Sequence, residues 1–211
     1  MIESEWLSCI EPTAMLAFLR ATRTDSERKL RLFAVACFRR LAHVLPDDKQ
    51  REGIDTLQQM AEGTATSEMQ RRASVFTRHG IIGQFGEDKH FAATMLYRAL
   101  VSRDAAGHAV SAISGVTEGS LGPAECSHLL REIVGNPFRP VVIQPHWLAW
   151  EDGIVVSMAR EIEEAQRFAE LPYLADALMD AGCDAEPLLR HLRQREGHIR
   201  GCWALDSLLM R

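Results

Sequence analysis

The chain has 211 residues, 46% of them hydrophobic and 25% charged, and carries a net charge of -5; these values exclude a disordered or fibrous class. A chain of this length forms one domain or two small ones and buries roughly 70% of the surface its unfolded form exposes. The acidic balance excludes a binder that works mainly by neutralising phosphate, and leaves only local basic patches to consider.

All basic residues except Lys29, Lys49 and Lys89 are Arg. The five cysteines, Cys9, Cys37, Cys126, Cys183 and Cys202, are far apart, odd in number and without a CxxC pair. That pattern fits buried thiols in a reducing compartment better than a disulfide framework. The opening residues, MIESEWLSCIEPT, show no basic start followed by an apolar run, and no uninterrupted apolar stretch of about 18 residues occurs. A soluble, cytoplasmic protein without a membrane partner is expected.

In chain order, residues 3–9 read as a short turn of helix with Trp6 as anchor, and Pro12 opens a second helix to Arg20. The clearest helix runs from Ser26 to Leu45. Leu30, Phe33, Ala34, Cys37, Phe38, Leu41 and Leu45 form one apolar stripe, opposite Arg28, Lys29, Arg31, Arg39 and Arg40. Pro46 stops it. Asp47 or Asp48 caps the next helix, which reaches Glu62 and ends at Gly63.

The middle, residues 64–122, carries a softer signal. Ser67 begins a helix through Met69, Ala73 and Phe76, and Gly80, Gly83 and Gly86 interrupt it, each at a cost of about 1 kcal/mol relative to Ala. Asp88 caps a firmer helix containing Phe91, Met95, Leu96 and Ala99. The run DAAGHAVSAISGVTEG reads either as a helix packed closely through small residues or as a mobile element.

Pro123–Val134 is a helix with Cys126, Leu129, Leu130 and Ile133 inward, stopped by Gly135. Then comes GNPFRPVVIQPHWLAW, 135–150, the longest span that resists a helical reading. Pro137, Pro140 and Pro145 push the residues before them out of the helical region, so an ordered, extended or turned loop is expected. The last third is helical again. Asp152–Ala169 points Val155, Met158, Ala159, Ile162 and Phe168 inward and leaves Glu161, Glu163 and Glu164 solvated. Pro172 opens a helix through Leu174, Ala175 and Leu178 that closes at Gly182. Asp184 precedes one with Leu188, Leu189 and Leu192, Gly197 breaks it, and Gly201–Met210 is a final short helix. The sum is an all-α fold, one helical domain over 1–211 built as an irregular multi-helix bundle of eight to ten helices. A short helical-repeat array is the alternative, although no period persists.

Five segments together carry a resemblance: SEWLSCIEPTAMLAFLR, KLRLFAVACFRR, GNPFRP followed by Trp147, LADALMDAGC and HIRGCWALDSLL. In this order they resemble an uncharacterised planctomycete-type bacterial family present as many paralogues. The similarity covers roughly residues 3–45 and 124–211. It implies a bacterial, cytoplasmic, helical protein and brings no established activity or catalytic residue. At Phe38 the chain departs from the family pattern, which has a second Cys beside Cys37, so adjacent-cysteine chemistry is not expected here.

Among candidate sites, His191, His198 and Cys202, with Cys183 upstream, are the one cluster of plausible metal ligands. On a continuous helix 191, 198 and 202 would share a face. Gly197 and Gly201 argue against that continuity, and the spacing matches no usual structural zinc pattern. Capping and core packing are preferred, and no metal or cofactor is expected. Cys202 with His198, or Cys126 with His128, is the weaker reading of a thiol nucleophile and its base. No GxSxG, HExxH, P-loop or GxGxxG stands in the chain.

GNPFRP and HIRGCWALD suggest a brace in which Arg139 and Arg200 pair with a carboxylate such as Asp206, with Phe138, Trp147 and Trp203 filling the space between. The rival reading exposes Phe138, Arg139, Trp147 and Trp150 as an anchor for another protein, since Trp and Arg dominate interface hot spots. The leading functional expectation is a non-enzymatic helical interaction module, a scaffold or adaptor, in a bacterial cytoplasmic system. One alternative is an enzyme using His79, His90 and His108 with Glu87 or Asp88. Another is nucleic-acid binding through Arg28, Arg31, Arg39, Arg40, Arg71 and Arg72.

Overall fold

A computed structural model describes residues 1–24, 26–45, 48–82, 86–116, 122–195 and 197–211, with 79–82 described by their backbone alone. The expected stop at Pro46, cap at Asp47 and break at Gly83 lie outside the described residues, as does the side chain of His79. Among the described residues every regular element is helical, so the fold is all-α. No described helix is long and apolar enough to cross a membrane. By its contacts the chain divides into two compact units, Met1–Leu130 and Arg131–Arg211.

The first unit is organised around α3 (Glu27–Arg40), preceded by α1 (Glu3–Ser8) and α2 (Pro12–Thr22). The Ser26 side chain accepts the Lys29 amide at 3.4 Å, Glu27 sits in the first turn, and Arg39 and Arg40 sit in the last. These placements satisfy orphan donors and complement the helix dipole. The expected single stripe is too narrow. Leu32 to Phe38 are buried in succession, because Leu32, Val35 and Ala36 occupy the side assigned to solvent. A helix apolar all round lies inside its unit rather than at its surface.

Around it stand α4 (Asp48–Ala61), α5 (Ser67–Ile82), α6 (Glu87–Val101) and α7 (Ala105–Gly115), with α3 packed on α4 and α7, and α6 on α5 and α7. Two sequence expectations are corrected here. Gly80 does not interrupt α5, since one glycine costs only about 1 kcal/mol and tertiary packing overrides propensity. Asp88 does not cap α6: Gly86 is the cap residue, and Glu87 and Asp88 lie in the first turn, where acidic side chains favour the dipole. The undecided small-residue run forms α7 over its first part. Asp104 accepts the Gly107 amide at 2.9 Å, and Ala105, Ala106, Ala109 and Ala112 bury without bulk, permitting close approach to α3 and α6.

The second unit begins in the last turn of α8 (Pro123–Val134) and continues through α9 (Pro145–Ala149), α10 (Ile154–Ala165), α11 (Leu171–Asp180), α12 (Glu186–Leu192) and α13 (Trp203–Leu208). The proline-rich span is not wholly non-helical. Pro145 occupies the start of α9, where its missing donor costs nothing, and a 3-10 turn follows over Trp150–Gly153. No strand forms at Val141–Ile143. Before α9 the chain turns at Asn136–Arg139: the Asn136 side chain accepts the Phe138 amide at 3.0 Å and its carbonyl accepts the Arg139 amide at 3.2 Å.

Trp147 is core, 3% exposed among Val155, Ile162, Leu174 and Leu205, while Val141, Ile143 and Trp150 pack against the same cluster. Glu163 is a further correction. It is fully buried rather than solvated, and its carboxylate accepts a hydrogen bond from Arg211.

Candidate metal centre

Four ligand-type side chains of the second unit meet at one point: Glu132, His191, His198 and Cys202, whose ligand atoms all lie within 4.8 Å of one another. Each arrives by a different local device. Glu132 sits in the last turn of α8. His191 lies in the last turn of α12, three residues after buried Leu188 and therefore on the same face. The chain then leaves the helix, and Gly197 (φ +95°) and Gly201 (φ +83°) take left-handed conformations that reverse it. That loop returns His198 and places Cys202 at the start of α13.

The contacts are short and enclosed. His198 Nδ1 is 3.0 Å from Glu132 Oε1, His191 Nε2 is 3.3 Å from the same oxygen, and His191 Nε2 is 3.0 Å from Cys202 Sγ. The side chains of His198 and Glu132 are 2% and 3% exposed, and that of His191 is 10% exposed. His198 Nε2 stands 2.9 Å from the Gln194 carbonyl oxygen, which only accepts, so Nε2 carries a proton and Nδ1 faces the carboxylate. Two bare lone pairs do not stay 3.0 Å apart. The pair needs a further proton, on His198 or on Glu132, or a cation bound by both atoms.

The electrostatics fit either occupant. Burial alone would raise Glu132, but His191 and His198 on its carboxylate hold it down at about 2. Burial pulls His198 down and Glu132 overrides it, so His198 is raised. Cys202 is pushed well above the ordinary thiol value by burial and by the Glu132 charge, while the Ala204 and Leu205 amides act in the opposite direction.

A metal also fits the donor set. Zinc takes Cys, His and carboxylate ligands tetrahedrally, at about 2.3 Å for sulfur and 2.0–2.1 Å for nitrogen or oxygen. Such a tetrahedron spaces its ligand atoms about 3.3 Å apart for N and O and about 3.6 Å for N and S. The two nitrogen–oxygen separations lie within a few tenths of an ångström of the first value, the His191–Cys202 contact is roughly half an ångström shorter than the second, and the group spans up to 4.8 Å, so its side chains would shift to close on a metal. A thiolate and a carboxylate would also neutralise a buried dication.

Of the ligands that the sequence singled out, His191, His198 and Cys202 come together, although not on a continuous helix, and Cys183 is not part of the group. Capping and packing describe Cys202 in part, since it precedes α13 and is fully buried. Sequence reasoning missed Glu132, which lies 66 positions from His198. The available signal was an acidic residue three positions after Leu129, at the edge of an otherwise apolar stripe. The nucleophile pairings differ as well: Cys202 meets His191 rather than His198, and His128 is exposed while Cys126 is buried.

The other candidates are dispersed. Phe138 is 36% exposed and Arg139 exposed, whereas Trp147 is core and Trp150 half-buried. Asp206 is buried and Arg200 half-buried. His90 is exposed on α6 and His108 half-buried on α7. A cavity of about 350 Å³ in the first unit is lined by Ser67, Gln70, Arg71, Ser74, Arg78 and Tyr97, with no histidine among its described residues. Arg28, Arg31, Arg39, Arg40 and Arg71 each stand within ion-pair distance of a carboxylate, Glu62, Glu27, Asp55, Glu125 and Glu68 respectively.

No protein-family model matches the chain, and neither a curated protein nor a solved structure matches it.

Proposed function

We propose that residues 131–211 form a helical module closed around one zinc ion, held by Glu132, His191, His198 and Cys202, and that the chain works as a non-enzymatic interaction module. The observation that carries this reading is the convergence of four zinc-type ligand atoms within 4.8 Å. In this reading the four side chains would fill all four positions of a tetrahedron. A closed site is structural, because a catalytic zinc keeps one position for water or substrate.

Size supports the same conclusion. A unit of roughly 80 residues is near the point where a hydrophobic core supplies only about 3–5 kcal/mol, and metals are a common supplement. A thiol-based enzyme finds no support. The Cys202 thiol is raised rather than depressed, and Glu132 approaches the same His191 nitrogen as the sulfur instead of orienting the ring from its other side. In this reading the partner is another protein, met by the Phe138–Arg139 turn, and the setting is a bacterial cytoplasm, where free thiols persist. The sequence resemblance implies the same setting and nothing about the partner.

The test is the metal content of the full chain, purified without chelator and weighed by native mass spectrometry. One zinc per chain is expected, lost in Cys202→Ser and Glu132→Gln. A zinc-free chain that takes up none on titration, or zinc retained by both variants, would overturn the reading.

A further inference from the structure

The two histidines of the centre are oriented by different means. His198 has the usual outer support of a metal-binding imidazole, its far nitrogen donating to a backbone carbonyl, here that of Gln194 at 2.9 Å. His191 has no hydrogen bond at Nδ1 among the described residues, and its contacts are made by Nε2. Its ring lies instead against the Trp203 indole, with centroids 4.8 Å apart at 48°, and against the His198 ring, 5.0 Å away at 87°.

The place of that indole is set in turn by Gly135. Gly135 has φ +77°, and a Cβ built on it would stand 3.0 Å from Trp203 Cγ and 3.1 Å from Cδ2. A side chain here would be strained and would displace the ring. Gly135 comes three residues after Glu132, and Trp203 directly follows Cys202. Two of the ligand-bearing segments therefore each contribute one part of the support for the third.

We infer that Trp203, seated against Gly135, is the positioning residue for His191 and thereby sets the affinity of the centre for zinc. The inference rests on the zinc reading above and adds a claim that can fail separately. Trp203 replaces an outer hydrogen bond with a ring face. It restricts His191 to the orientation that aims Nε2 between Glu132 and Cys202.

The experiment compares the full chain with Trp203→Phe, which keeps a ring, and Trp203→Leu, which keeps apolar bulk without one. Zinc affinity is measured by competition with a chromophoric chelator, and thermal stability is measured separately on the chelated proteins. Phe is expected to bind zinc close to wild type and Leu to bind about 10–100-fold more weakly, the usual loss on removing an outer-shell partner. Gly135→Ala should weaken zinc in the same direction, and decides the matter if Trp203→Leu does not fold. A purely structural role would lower the stability of the chelated protein and leave zinc affinity unchanged. Wild-type affinity in both Trp203→Leu and Gly135→Ala would overturn the inference while the zinc reading stands. A wild-type chain that takes no zinc would remove that reading itself, whatever the variants do.

Discussion

Both units bury a cysteine completely, and the two settings differ in everything else. Cys37, on α3, has another thiol, Cys126, as its hydrogen-bonding neighbour, and burial followed by that neighbour raises its pKa well above the ordinary value. Cys202 is equally buried and also raised, but it stands against His191 and close to Glu132. Burial alone makes an inert thiol, a small apolar core residue. Convergence of imidazole and carboxylate on the sulfur makes a candidate ligand. The first unit thus spends its buried cysteine on packing, and the second places one in a polar cluster that must be satisfied as a whole or not at all.

The sharpest way to break this contrast is Glu132→Ala. It removes the shared anion and leaves the histidines without a counter-charge, so a loss of about 3–5 kcal/mol in urea unfolding is expected together with loss of zinc. Retained zinc would contradict it. Chelation comes next. With free zinc at about 1,000 times its dissociation constant, stripping the metal should cost about 4 kcal/mol, a fall in Tm on the order of 10 °C that added zinc reverses.

Acidity should act differently on the two forms. In the chelated protein Glu132 titrates at about 2, below its unfolded value of about 4.3. Its contribution is complete above about pH 4.3 and is lost as pH falls through 2, about 3 kcal/mol in all. His198 is shifted upward, so its contribution is complete below its ordinary value of about 6.5 and is lost as pH rises through the folded value. The chelated protein should therefore be most stable between those two limits. Zinc displaces ligand protons, so the loaded protein should gain over the chelated one as pH rises. Unfolding of both forms across pH checks this, and parallel curves would contradict it.

Cys37→Ser should cost roughly 1–3 kcal/mol, by burying a hydroxyl in an apolar site, and leave zinc stoichiometry unchanged. A loss of zinc would erase the distinction between the units. Smallest of all, Arg139→Ala should change stability by about 1 kcal/mol or less, as exposed positions and surface ion pairs do. A large loss would make the turn a brace and remove the docking surface.

Much of the helical order was legible in the sequence, because period and punctuation act locally. Pro123–Val134 agrees to the residue, and Val155, Ala159 and Ile162 face inward as the spacing requires. What local rules misjudged was the outcome of packing. The middle of α3 is buried on all sides, Gly80 stays inside α5, and Glu163 is buried because Arg211 reaches it. Pro145 reads as a helix breaker and also as a helix starter, and here it starts α9.

The centre was legible in its three later ligands and hidden in its assembly. Gly197 and Gly201, which argued against a shared helical face, are the residues whose left-handed turns bring His198 and Cys202 back to His191. Glu132 had no local signal tying it to them. Its role exists only once α8 and the loop after α12 are folded together.

The most direct test of the central claim is X-ray absorption at the zinc edge on the full chain loaded with one equivalent. The account predicts one sulfur at about 2.3 Å and three nitrogen or oxygen neighbours at about 2.0–2.1 Å, with the sulfur absent in Cys202→Ser. A sulfur-free shell in the unaltered chain, or a spectrum untouched by Cys202→Ser, would contradict it.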